Sequence, residues 1–393
     1  MTFGFASMTP SARRARLTAA VLITALALFL RVYLAAVGPI EYDEPVYVDA
    51  AIQYATDLRA GQWGEILDDT YNYEHPIFNK LLYAASLLPF KAMPVGTSMP
   101  FDAPLYEVPN YYKLLTLRLV SAVAGAGAVF VLSLVNPLAG LALAVHTFAV
   151  KYSSVIYLEA VPALASLLAV LAAQRAFHPR DGGGRAWLWL GGSALAMGVA
   201  AASKYMYGAL ALAVVVNALL QPGGRSLKTV RRLAVWALLC ALFFCLCDPV
   251  LWPAPLARLL QSLQFSTNYS ANDVVVNAKH YPVWQPLYWL LLSIPHHSLE
   301  LSPFFLRPGN YFLLVDSLIF ALAILGLPGL FKRYPAMFWW LAVGLVFLFA
   351  WRTKWPQYVM LILPAFCLSA ACGVDWLRRL WQRWTRAGEA NGA

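Results

Sequence analysis

Apolar residues fall in long runs along this chain, and polar residues gather where the runs end. The runs lie near 17–38, 112–134, 137–151, 155–174, 186–203, 205–221, 233–250, 310–331, 336–351 and 357–376. A helix of about 20 apolar residues crosses the hydrocarbon core of a bilayer with every backbone group bonded internally. The pattern therefore predicts an all-α, polytopic transmembrane bundle of about ten spans, with residues 1–393 forming one membrane module. Two long segments of mixed character interrupt it, 39–111 and 251–309. Within them, 44–60 and 76–90 carry apolar and aromatic residues at helical spacing, which predicts amphipathic helices lying along the interface, and 284–297, rich in aromatics and broken by proline, is expected to be interfacial or re-entrant.

Composition agrees with the pattern: 61% of the residues are hydrophobic and 12% charged, against about 45–50% and about 25% in soluble domains. The net charge of +10 is not a nucleic-acid patch, because the basic residues sit in short clusters between spans. Arg13, Arg14 and Arg16, then Arg175, Arg180 and Arg185, then Arg225, Lys228, Arg231 and Arg232, then Lys332 and Arg333, and finally Arg378, Arg379, Arg383 and Arg386 alternate with the runs. All of them come out on one side, and the bias of basic loops toward the cytoplasm makes that side cytoplasmic, with both termini. The first run is longer than a signal core, so it is expected to stay as an anchor. The five cysteines lie in apolar surroundings and are expected to act as small hydrophobes.

Chemistry is then expected on the outer face, in the cell (inner) membrane. Directly after the first span comes Pro39-Ile40-Glu41-Tyr42-Asp43-Glu44-Pro45. A carboxylate there could take a proton from an attacking hydroxyl; a solvated loop that caps the next helix is an even alternative. Next, Glu74, His75 and Lys80 fall within seven residues, a grouping able to bind an anion or orient a base. Arg118, Lys151, Glu159, Lys204, Asp248, Arg352 and Lys354, the last two followed by Gln357 and Tyr358, stand at the outer ends of apolar runs. Ionisable groups at membrane depth are costly and functional by default, and converging cations suit a phosphate. Snorkelling toward headgroups is the plainer reading for each cation taken singly.

The order of these motifs resembles the membrane glycosyltransferases typified by protein O-mannosyltransferases and the lipid A aminoarabinose transferase. The likeness rests on Asp43-Glu44, on His75-Pro76 through Lys80, on Leu117-Arg118-Leu119-Val120-Ser121, on Ala202-Ser203-Lys204-Tyr205, on Cys247-Asp248-Pro249 and on Trp355-Pro356-Gln357-Tyr358. It implies transfer of a sugar from a polyprenyl-phosphate donor to a hydroxyl-bearing acceptor (protein, lipid or glycan) on the non-cytoplasmic face, among membrane lipids. Carried over, it makes Asp43 the catalytic base with Glu44 beside it binding or orienting the acceptor. It gives Arg118, Lys80, Lys204, Arg352 and Lys354 the donor phosphate, and leaves Glu74, His75, Glu159, Asp248, Gln357 and Tyr358 for sugar or acceptor. Ile77-Phe78-Asn79 departs from the family's usual Pro-Leu-Gly in that string, so the local turn is expected to differ. No cofactor is required and no metal ligands are assigned, although a divalent cation near Asp43 and Glu44 stays possible. The rival reading is a transporter or flippase of a polyprenyl-linked sugar or anionic lipid. Such proteins carry internal repeats and midplane charges, which this pattern lacks.

Overall fold

Every apolar run is helical, and the helices end where proline or a polar residue interrupts it. The computed structural model describes residues 9–68, 72–96, 99–178, 184–221, 223–279, 281–293 and 312–391. α1 (Pro10–Val37) is followed by α2 (Glu44–Ala60), α3 (Trp63–Asp68) and α4 (Phe78–Leu87) in the first outer segment. The chain then runs through α5 (Tyr111–Val135), α6 (Pro137–Val145), α7 (Thr147–Tyr152), α8 (Ala160–Ala176), α9 (Gly184–Ser203), α10 (Ala211–Leu220) and α11 (Leu227–Cys247). The second outer segment holds α12 (Pro255–Asn272), α13 (Val274–Lys279) and α14 (Gln285–Leu292). α15 (Phe312–Arg333), α16 (Pro335–Ala350) and α17 (Leu363–Asn391) complete the bundle. Among the described residues the only β pairing is an isolated bridge between Pro39 and Pro104.

The chain is an integral membrane protein. Among the described residues five helices, α1, α5, α9, α11 and α15, are long and apolar enough to cross alone. Three other expected spans are broken. The run 205–221 opens as a 3₁₀ helix, Tyr205–Leu210, before α10, and the run 357–376 opens as a 3₁₀ helix, Pro356–Leu361, before α17.

The third break, at His146, shows what such an interruption requires. Asn136 starts α6 by accepting the N–H groups of Leu138 and Ala139 at 2.9 and 3.4 Å. At the other end Arg31 of α1 donates to the Leu143 and Ala144 carbonyls at 3.3 and 3.2 Å. Asp316 of α15 accepts the Thr147 N–H that opens α7, at 3.1 Å. A cation thus meets the negative end of one short helix and an anion the positive end of the next, the pairing that helix dipoles favour. Both side chains are buried, so each fills a polarity that lipid would leave unmet.

Small residues let the long helices approach. A Cβ at Gly326 of α15 would run into the Ser369 carbonyl of α17, and one at Gly373 into the Leu322 carbonyl. Without a hydrophobic drive between helices in lipid, such close packing is what holds them.

The charged groups separate onto two ends of the bundle. At one, Arg333 pairs with Asp375 at 2.6 Å, Arg16 and Arg333 both act on Tyr334, and Arg232 reaches the Ala176 carbonyl at 3.5 Å. At the other, Lys151 meets Glu41 at 2.8 Å, next to the two outer segments. Arg180 and residues 294–309 lie outside the described residues. The expected helices at 44–60 and 76–90 are α2 and α4, and α14 covers the described part of 284–297. An additional one, α12, occupies 255–272, where the sequence pattern had suggested none.

Candidate active site

The first turn after α1 is fixed by one buried ion pair. Glu44, fully buried, accepts from Arg118 Nε at 2.8 Å and Nη2 at 2.5 Å. Its two oxygens also take the Glu41 and Ile156 N–H groups, each at 2.8 Å. Arg118 spends its other N–H groups on the carbonyls of Ala35 (3.1 Å), Gly38 (2.9 Å) and Pro39 (2.7 Å). All five guanidinium donors are thereby used. The expected phosphate contact of Arg118 has no free donor here; the residue ties α5 to the turn that carries Asp43. Glu44 is likewise engaged on both oxygens, which fits an orienting group and not one that binds an acceptor directly.

Asp43 stands at the N-terminus of α2, the position where a carboxylate normally caps the helix. Its side chain makes no capping bond, and the second residue of the helix, Pro45, has no N–H to offer one. The Asp43 backbone N–H points to the Tyr157 hydroxyl at 3.5 Å. Around the carboxylate are Lys204 and Glu41, and the rings of Tyr47 and Tyr157 pack edge to face with centroids 6.1 Å apart. Burial pushes the Asp43 carboxyl above the usual range; Lys204 offsets part of this and Glu41 adds to it. Among the described residues none donates a hydrogen bond to this carboxylate, so its lone pairs remain for a ligand.

Lys204 lies where α9 gives way to the 3₁₀ turn before α10. It pairs with buried Glu159 at the start of α8, and its ammonium sits 5.0 Å from the Tyr358 ring centroid. Glu159 keeps one oxygen without a partner.

Beside this lies a small cleft lined by Tyr73, His75, Lys80, Tyr205, Asp248 and Arg258, among others. Asp248, just past the end of α11 and not inside a span, accepts from the Ile77 N–H and the Tyr205 hydroxyl, both at 3.3 Å. Burial pushes its carboxyl up to about 6, against the pull of the Ile77 N–H and Lys80. His75 faces Tyr47 with centroids 6.0 Å apart. Burial, then Lys204 and Lys80, hold its imidazole well below the usual histidine range, hence neutral. Lys80 is buried and donates to the Asn72 and His75 carbonyls at 2.8 and 3.0 Å. It braces the Asn72–His75 turn, with its charge directed at backbone. Glu74 accepts from Asn72 Nδ2 at 2.6 Å.

Two expected cations take other places. Lys354 turns back onto the end of α16, donating to the Leu348, Phe349 and Trp351 carbonyls at 3.1, 3.3 and 2.5 Å. That closes the helix C-terminus. Arg352 is exposed and reaches Asn277 of α13 at 3.4 Å. Near it, Lys279 sits 4.8 Å from the Trp355 ring centroid. Gln357 is buried in the 3₁₀ turn before α17.

Sequence reasoning missed Tyr47, Tyr157, Tyr205 and Lys279. Aromatic residues at interfaces are common, so only the neighbouring Asp43, Glu159, Lys204 and Trp355 could have marked them. Among the described residues no three His, Cys, Asp or Glu side chains gather to hold a metal.

This arrangement of broken helices and outer segments was compared with known proteins. No protein-family model and no curated protein sequence matches the chain. Solved structures do. ArnT from Cupriavidus metallidurans, bound to undecaprenyl phosphate, superposes with a TM-score of 0.57 and 18% identity over 94% of this chain and 63% of that one. This chain has the ArnT fold. Its apo state gives 0.56, with 18% identity over 92% of this chain and 61% of that one. The archaeal oligosaccharyltransferase AglB from Archaeoglobus fulgidus, in complex with an inhibitory peptide and a dolichol-phosphate, gives 0.51 with 12% identity over 98% of this chain and 53% of that one. The chain thus spans about three-fifths of the ArnT length. The fold anticipated from the motif order is the one found.

Proposed function

We propose that this protein is a polyprenyl-phosphate-dependent glycosyltransferase in which Asp43 is the general base. The observation that carries the reading is the unspent carboxylate of Asp43. Its neighbour Glu44 is saturated, whereas Asp43 is half-buried, uncapped, and raised in pKa toward the range where a base works at neutral pH. The likeness in fold to ArnT, which binds undecaprenyl phosphate, and to AglB, which binds a dolichol-phosphate, supports a lipid-phosphate donor.

In this mechanism an acceptor hydroxyl gives its proton to Asp43 as its oxygen attacks the anomeric carbon, and the bond to the phosphate oxygen breaks on the opposite face. Phosphate departs with the bond electrons. Arg118, Lys80 and Lys354 are committed to carboxylate or carbonyl partners, so Arg352 with Lys279 on the outer surface is the pair assigned to the leaving phosphate. Lys204 stays with Glu159 and tunes Asp43. Neutral His75, Asp248, Tyr73 and Tyr205 present hydroxyl-bonding groups and ring faces suited to sugar or acceptor.

The experiment is turnover of a labelled polyprenyl-phosphate sugar by the purified protein in a screen of hydroxyl acceptors. Transfer that disappears in Asp43→Asn while the helix content and elution profile stay unchanged is the expected result. An Asp43→Asn protein with full activity would remove Asp43 from the role.

A further inference from the structure

The last helix continues beyond the bundle as a surface that neither the fold nor the proposed chemistry uses. Up to Gly373 α17 is buried against α15, and the Arg333–Asp375 pair marks where it leaves. Beyond that point Trp376, Leu377, Leu380, Trp381 and Trp384 are all exposed. At 100° per residue these five positions occupy one arc of the helix. Arg378, Arg379, Gln382, Arg383 and Arg386 occupy the opposite arc. An exposed patch carrying three tryptophans on a single helical face needs a covering partner.

Charge decides which partner. Four arginines without a single acid between Trp376 and Arg386 repel a second copy of the same face and attract an anionic surface. Tryptophan prefers the depth of lipid headgroups. The helix emerges at the bundle end that also holds Arg16 and Arg333, so a lipid surface lies directly beside it. We infer that Trp376–Arg386 is a membrane-surface anchor that buries its tryptophan face at the headgroup boundary and binds anionic phospholipid through its arginines. This placement is independent of the proposed transferase activity. Each arginine adds about five-fold to the docked state on anionic lipid, the ratio corresponding to ~1 kcal/mol per basic residue.

The test uses the full chain in lipid nanodiscs with an environment-sensitive fluorescent amino acid placed at Leu380 or, as the opposite-face control, at Gln382. In discs containing phosphatidylglycerol the probe at 380 is expected to shift to the blue and to be quenched by brominated acyl chains, while the probe at 382 stays open to aqueous iodide. In phosphatidylcholine alone, or with Arg378, Arg379, Arg383 and Arg386 all changed to Gln, the quenching at 380 is expected to fall at least two-fold. Equal water exposure of both probes in anionic discs overturns the inference. So does shielding at 380 that is independent of lipid charge and rises with protein concentration, which would place a second copy on the face. Elution profile and helix content in detergent verify that the variants fold.

Discussion

At Asp43 the catalytic reading becomes a statement about pH. The carboxylate works as a base only when deprotonated, and burial raises its pKa, so activity is lost as pH falls through a value above the ordinary ~3.9 of aspartate. The acid limb of the kcat/KM profile should therefore stand above the usual carboxylate range. Lys204 pulls that pKa down. Replacing Lys204 by Met together with Glu159 by Gln, so that no buried acid is orphaned, should move the limb to still higher pH. A limb that stays in place or moves lower in this double variant would show that Asp43 is not the group being titrated. Asp43→Asn should lower kcat by about 10²- to 10⁴-fold, the usual contribution of a positioned base. For Arg118 the expectation concerns stability instead: Arg118→Met leaves Glu44 buried and unpaired and should cost about 3–5 kcal/mol. The Glu44→Gln, Arg118→Met double variant should recover part of that loss in thermal unfolding, because the uncompensated charge is gone. The sequence contained every one of these residues, yet not their commitments. Arg118 and Lys354 are occupied mostly by backbone carbonyls, and carbonyls carry no signature in a sequence. Which cation is left for a phosphate is consequently decided only by the folded backbone.

At the level of elements, spans were legible because lipid imposes them: a backbone in hydrocarbon must bond to itself, and the apolar run is the visible result. The breaks were not. His146 reads as one polar residue in an apolar run, and the groups that stabilise the break, Arg31 and Asp316, come from helices distant in the chain. Arg31 itself looked like part of a span. α12 escaped notice for a related reason. One side, with Ser262 bonded to the Tyr73 carbonyl at 2.6 Å and Phe265 edge-on to Tyr73, faces the site. The other exposes Leu256, Leu260 and Leu263, so polar and apolar residues mix along the chain. The contact between α15 and α17 makes the sharpest prediction at this scale. Gly326→Ala places a methyl against the Ser369 carbonyl, and backbone cannot yield as a side chain does. It should lower stability by about 1–3 kcal/mol, read as an earlier loss of the helical signal on heating in detergent. Gly192→Ala in α9, where a Cβ meets nothing, should leave it unchanged or raise it slightly.

For the molecule as a whole, the two charge-bearing ends constrain what the bundle can be for. A carrier that moves a lipid-linked sugar across the bilayer needs its binding groups accessible from both faces in turn, at or near the midplane. Here Asp43, Lys204, Glu159, His75 and Asp248 collect around one end, while the opposite end holds Arg333, paired to Asp375, with Arg16 and Arg232. Buried Arg31 and Asp316 both meet helix ends. A protein so built gains nothing from separate compartments, and its reaction should run in detergent micelles where none exist. Purified protein given a labelled polyprenyl-phosphate sugar and acceptor should release polyprenyl phosphate and transfer the label, with or without a chelator, since the committed steps ask only for a base and for cations of the chain. Release that vanishes with chelator would bring a metal into the site. Movement of intact donor between leaflets of a vesicle, with no release in micelles for any acceptor, would instead make the single-ended cluster a loading site for transport.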